Sequence, residues 1–198
     1  DETDRDYLRG ASVVFVTAYA PDPVQRTLLS WAESAEFPPV VFDLSGPLTE
    51  LADRGATEES LDRWVERAAL FVVGGVAAES YLGETGAAAA ETLAKRGVER
   101  AAVTSGEAGA WLVAPESQAV SEDRRVTDVP AFDVSVTDET GAGDSYVAGL
   151  IHSWLLGERE PAPAGRFAAA TAALNCTAGG ARGNLPTESA VSAFLDER

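Results

Sequence analysis

Apolar runs rich in β-branched residues alternate along this chain with stretches of helical spacing. Ser12 to Tyr19, Val40 to Leu44, Leu70 to Val73 and Ala101 to Thr104 each read as a buried strand. A helical pattern opens at Asp22, runs through Val24, Leu28, Leu29 and Trp31, and is ended by Pro38 and Pro39. Further helices are predicted over Glu58 to Ala68, opened by the acidic turn Thr57-Glu58-Glu59-Ser60, over Ala77 to Leu82, and over Ala87 to Arg96 with Gly97 as the stop. Strand–helix–strand alternation predicts a mostly parallel sheet with helices on both faces. Ala110 to Val113 and Arg125 to Val136 break the rule and predict an antiparallel excursion, with the charge run Ser121 to Arg125 as a solvated turn. No internal repeat or linker divides the pattern, so residues 1–198 are expected to form one α/β domain.

The next segment carries the candidate chemistry. Val147, Leu150, Ile151, Trp154 and Leu155 fall on one face of a helix that Gly157 ends. Gly141-Ala142-Gly143-Asp144 therefore sits at a helix N-terminus, where unpaired N–H groups and the positive end of the helix dipole attract an anion. The two glycines leave room for a phosphate at the amides of Ala142, Gly143 and Asp144. Beside them the Asp144 carboxylate, kept ionised by the same N–H groups, is suited to accept a proton from an attacking hydroxyl. Phosphoryl transfer needs this combination. A tight turn with an aspartate as helix cap explains the same four residues equally well.

Composition narrows the partners. Asp and Glu number 32 against 15 Lys and Arg, for a net charge of −17. Such a surface repels nucleic-acid phosphates and anionic lipid. No apolar run is long enough to cross a bilayer. The single Cys176 and the single His152 have no neighbours at metal-ligand spacing and read as a buried thiol and a surface imidazole, as expected for a cytoplasmic protein. Trp31, Trp64, Trp111 and Trp154 fall mostly on apolar faces, and Asp43 reads as a surface or cap residue. The chain has no Met and opens at Asp1, so it is expected to be part of a longer protein.

Asp138-Glu-Thr-Gly-Ala-Gly-Asp144 followed by an apolar helix resembles the second signature of the ribokinase-like (PfkB-type) carbohydrate kinases, commonly Asp-Thr-Thr-Gly-Ala-Gly-Asp. The lead-in Val129 to Val134 and the tail Gly179 to Arg182 with Leu185 to Thr187 are similar too. So is Val103 to Gly109, which matches a Thr-x-Gly-x-x-Gly nucleotide segment. The resemblance implies a three-layer α/β/α sandwich and an ATP-dependent kinase acting on a small sugar or nucleoside. It implies Asp144 as base, and Gly141, Ala142 and Gly143 as the anion hole for the γ-phosphate. Thr104, Gly106 and Gly109 would line the ATP site, with Gly180 and Ala181 in a loop closing over it. Asp138 and Thr140 match positions that hold a monovalent cation such as K⁺, and Mg²⁺ would accompany the nucleotide.

The resemblance has gaps. Where the family carries Asn-x-x-Glu, tied to Mg²⁺ and phosphate, this chain reads Gly74-Gly-Val-Ala-Ala-Glu79. The motif falls on Gly74 and Ala77, or on Val76 and Glu79 if slipped by two, and Glu79 reads as a helix-surface charge. The family's sugar-contacting front half and lid, through which its dimers pair, have no counterpart here. A kinase-like regulatory binder that has lost catalysis is the alternative. A dinucleotide-binding enzyme would need Gly-x-Gly-x-x-Gly, whereas Gly141-Ala-Gly143 continues Asp-Ser-Tyr.

Overall fold

The computed structural model describes residues 1–118 and 125–198; the charge run expected as a turn lies largely outside them. The described chain divides into two compact units, residues 1–103 with 113–126, and residues 104–112 with 127–198.

The first unit alternates strand and helix. It holds α1 (Glu2–Arg9), β1 (Val14–Thr17), α2 (Asp22–Ala32), β2 (Val40–Leu44), α3 (Leu48–Leu51), α4 (Glu58–Arg67), β3 (Leu70–Gly74), α5 (Gly75–Leu82), α6 (Gly86–Lys95) and β4 (Ala101–Thr104). The first three strands pair in parallel, Val14 against Val40 and Val41 against Leu70 marking the registers, and β4 follows β3 in the sheet order. Phe42 stacks on Trp64 at 4.6 Å and on Phe71 at 5.8 Å between ring centroids, which anchors α4 to the sheet. Thr57 caps α4 with its hydroxyl accepting from the Ser60 amide, and the Ser60 hydroxyl answers by accepting from the Thr57 amide. Trp64 and Trp154 are fully buried, while Trp31 and Trp111 are half-exposed. Asp43 is half-buried in β2 and accepts a hydrogen bond from the Ser45 hydroxyl at 2.6 Å.

Several boundaries differ from the sequence reading. The first strand is shorter than Ser12 to Tyr19. The helix from Asp22 stops at Ala32, well before the prolines, because the turns at Ser34 and Phe37 take over the backbone hydrogen bonds. Helix α1 was not expected; Asp1 caps it through a reciprocal bond with Asp4, and none of its residues is buried.

The second unit contains most of β5 (Ala110–Val113) and of β6 (Val126–Val129), with α7 (Ala142–Leu150), α8 (Pro161–Asn175) and α9 (Glu188–Asp196). The strand expected over Arg125 to Val136 ends at Val129, since Pro130 has no N–H to continue a ladder. The helix expected to run from Gly141 to Gly157 becomes π-helical over Ile151–Leu156. There the Ser153 hydroxyl donates to Gly149 O (2.6 Å) and Ala164 O (3.1 Å), fastening the widened turn to α8. Phe167 and Ala170 of α8 pack with Val191 of α9 beneath Phe132 and Phe194.

Candidate active site

β4 ends at Thr104 and feeds a tight turn in the second unit. The Ser105 amide donates to Gly109 O (2.8 Å) and the Gly109 amide to Gly106 O (3.0 Å). Gly109 has φ +88, and a Cβ there would stand 2.2 Å from Val129 O, so packing against the end of β6 demands glycine. At Gly106 a Cβ would meet nothing within 4 Å. Of the two glycines expected to admit a ligand, Gly106 leaves free space, whereas Gly109 lets two backbones touch.

The signature segment is anchored to the end of α8. The amides of Thr137 and Asp138 both donate to Cys176 O, at 2.8 and 3.2 Å. Asp138 Oδ1 accepts from the Thr140 hydroxyl (2.7 Å) and amide (2.9 Å), and Oδ2 accepts from the Gly180 amide (2.7 Å). The Thr140 hydroxyl first, then the Thr140 and Gly180 amides, draw the Asp138 carboxyl down to about 2. Gly141 follows with φ +80; its missing Cβ would lie 2.2 Å from Ala181 O.

Helix α7 then begins, as the apolar spacing predicts. The Ala142 amide is already engaged by Glu139 O (3.1 Å), and the Ser145 amide by Gly141 O (2.9 Å). Between them the amides of Gly143 and Asp144 have no acceptor among the described residues. A Cβ on Gly143 would meet nothing within 4 Å, so the space beside these donors is open. The Asp144 side chain is exposed.

These elements border a cavity of about 660 Å³, a size typical of small-molecule sites. Its walls bring together Thr104, Gly106, Gly109, Ala142 and Gly143 of the expected residues; Asp138, Thr140, Gly141 and Gly180 lie outside the wall on the adjoining turns, and Asp144 outside it at the start of α7. Three residues of α8 (Ala169, Ala172 and Ala173) and three after β6 (Phe132, Val134 and Val136) make one side apolar. Among the described residues no Lys or Arg lines it, while Glu107 and Glu139 do. Among these wall residues, positive potential for an anion comes from backbone N–H groups at the start of α7. Cys176 and Tyr146 also reach the wall. Burial, and then Glu139 and Asp138, push the Cys176 thiol up. Burial pushes the Tyr146 phenol up, and its hydroxyl has no hydrogen-bond partner among the described residues. The sequence reading singled out neither α8 nor Tyr146 for the site, because an Ala-rich stretch and an aromatic inside a helix both look like core.

Among the described residues, no group of three or more His, Cys, Asp or Glu could hold a metal ion, and no helix is long and apolar enough to cross a membrane. The bounds of the expected Asn-x-x-Glu segment fall at the end of β3 and in α5, where Val76 is 70% exposed and Glu79 is exposed.

Comparison with known proteins gives a consistent result. The model of the pfkB family of carbohydrate kinases matches residues 2–188. An ATP-dependent ribose-1-phosphate kinase of Halopiger xanaduensis is 47% identical over 70 residues, covering 35% of this chain and 23% of that protein. A sugar kinase of Archaeoglobus fulgidus is 29% identical over 187 residues, 94% of this chain and 69% of that protein. The structure of Arabidopsis thaliana ribokinase, complexed with ribose and ATP, superposes with a TM-score of 0.76 at 21% identity over 98% of this chain and 59% of that one. That likeness shows the fold, a ribokinase-like α/β/α sandwich on a mostly parallel sheet. The chain thus spans about three fifths of that ribokinase's length.

Proposed function

This chain belongs to the pfkB family of carbohydrate kinases, and from that premise we propose that it moves the γ-phosphoryl group of ATP to a hydroxyl of a sugar or sugar-like small molecule. The observation that carries the reading is the pair of unclaimed amides on Gly143, which lines the cavity, and on Asp144 just beyond its wall, next to the exposed Asp144 carboxylate.

Each residue then has a task. The Asp144 carboxylate takes the proton of the acceptor hydroxyl as that oxygen attacks. The N–H groups of Gly143 and Asp144, at the positive end of α7, hold the negative charge that moves through the transferred group; Gly141 and Ala142 set their direction. Thr104, Gly106 and Gly109 border the nucleotide, whose flat base suits the apolar side formed by the α8 alanines and Phe132, Val134 and Val136, and Gly180 closes the far turn. The cavity's volume and open amides fit ATP, which supplies the phosphoryl group when bound. Mg²⁺ would be held chiefly by the nucleotide's phosphates, since no acidic cluster among the described residues offers it a site. Asp138 and Thr140 offer oxygens to K⁺, although the Asp138 carboxylate already accepts three protein donors. Sugars, nucleosides and, following the Halopiger relative, pentose phosphates are the acceptors to try. The free, buried Cys176 suits a reducing cytoplasm.

One observation favours a second reading. With Gly74 and Ala77 at the first placement of Asn-x-x-Glu, side chains that would handle phosphate and metal are missing, as in a nucleotide-binding regulator without turnover. The full-length protein, assayed for ATP affinity by calorimetry and for ADP release over an acceptor panel with Mg²⁺ and K⁺, separates the two. Acceptor-stimulated ADP release supports the kinase. Tight ATP binding with no release on any acceptor supports the regulator, and absence of ATP binding refutes both.

A further inference from the structure

We propose that Asn175 is a positioning residue that clasps the anion-hole turn to the loop over residues 178–183; the inference rests on the kinase reading above. Asn175 is the last residue of α8 and is completely buried in an otherwise Ala-rich stretch. A polar side chain in such a place needs a partner. Its amide nitrogen has two, donating to Thr140 O and to Ala181 O, each at 3.3 Å. Two carbonyls facing one amide group fix its orientation, because only the –NH₂ end has two donors to give. The Asn175 oxygen is left buried with no partner among the described residues. That is unfavourable, and an Ala or Leu used merely for filling would avoid it.

The two acceptors belong to the two segments that the fold presses together. The Gly180 amide donates to Asp138, and Gly141 has no room for a Cβ because Ala181 O lies against it. Asn175 adds a tie from a third element, the end of α8, and fixes the carbonyl of Thr140. The next residues are the left-handed Gly141 and the start of α7, so the direction of the Gly143 and Asp144 amides depends on how that peptide is held. Donors that stabilise a transition state act through their placement, and a shift of about an ångström can lower turnover about 100-fold. Asn175 touches no substrate in this account; it acts through the turn.

The test uses the full-length protein carrying Asn175→Leu, of similar volume but without donors, with Asn175→Ala as the smaller replacement should the leucine prevent folding. Amide hydrogen exchange is measured by mass spectrometry, and turnover is measured with the acceptor found above. The expected result is exchange about 10-fold faster in both 139–143 and 179–183, with β2 and β3 unchanged, and kcat lowered about 10–100-fold while KM for ATP stays within about threefold. Unchanged exchange in the two segments overturns the clasp. Faster exchange with full kcat overturns the positioning role and leaves a structural one. A wild-type protein without turnover counts against the kinase reading instead, and the exchange pattern alone then decides whether the clasp exists.

Discussion

Gly141 and Gly143 stand two residues apart in one motif, yet alanine at each is expected to move stability in opposite directions. At Gly141 the backbone is left-handed, φ +80, and a Cβ would lie 2.2 Å from Ala181 O and 3.0 Å from two other backbone atoms of Ala181. The left-handed conformation costs a non-glycine residue about 1 kcal/mol, and forcing two backbones apart adds about 2 kcal/mol on the scale of overpacked sites. The sum of about 3 kcal/mol lowers the melting temperature by roughly 6–12 °C for a protein of this size. At Gly143 a Cβ meets nothing within 4 Å and the residue lies in the first turn of α7. Alanine there gains helix propensity, about 0.5 kcal/mol near a helix end, and raises the melting temperature by roughly 1–2 °C. The same methyl group fills the space beside the unclaimed amides, so ATP affinity is expected to fall about 10-fold or more, a loss of about 1.4 kcal/mol. Thermal unfolding of both ligand-free variants, followed by ATP calorimetry on Gly143→Ala, measures every part. If both alanines destabilise alike, the packing difference is wrong. If Gly143→Ala binds ATP as the parent does, the amides are not the phosphate site.

The remaining predictions concern the neighbouring side chains. Asp138 has its folded-state carboxyl lowered to about 2, against about 3.9 in an unfolded chain; its contribution to stability is complete above about pH 4 and lost as pH falls toward 2. Asp138→Asn should therefore lose stability at neutral pH and show a flatter acid limb between pH 4 and 2 in urea titrations; an unaltered limb would detach Asp138 from its three donors. Tyr146 buries a hydroxyl with no partner among the described residues, so Tyr146→Phe should leave stability unchanged or raise it by up to about 1 kcal/mol in urea melts. A loss above about 1 kcal/mol would reveal a partner for that hydroxyl.

Where the sequence was legible, one physical reason recurs. Val40 to Leu44, Ala101 to Thr104 and Ala110 to Val113 were bounded correctly because each is a short β-branched or apolar run with polar or turn residues at its limits. Gly141 to Asp144 was placed at a helix start because the apolar spacing after Val147 fixes where α7 must begin. Helix α8 left no such trace: from Ala164 to Ala173 it is buried on most sides, so no polar face alternates with an apolar one. Helix α9 escaped for the opposite reason, being short and largely exposed, with Val191 buried and only Phe194 and Leu195 half-buried beside it. Asn175 could have been noticed as a lone amide in an alanine run. Its two acceptors lie 35 and 6 residues away, and only the fold brings them together. The engaged amide of Ala142 was likewise invisible, because the curl of the turn back onto Glu139 is a backbone property. The missing Asn-x-x-Glu was plain in the sequence, and the structure puts no other acidic cluster among the described residues in its place.

The most direct test of the central claim compares the full-length protein with its Asp144→Ala variant, using γ-phosphoryl-labelled ATP and an acceptor that stimulates ADP release. The account predicts labelled, phosphorylated acceptor from the parent. In the variant it predicts turnover lowered about 100- to 10,000-fold, with ATP affinity within about threefold. Equal transfer by the two proteins would remove Asp144 from the chemistry and contradict the account.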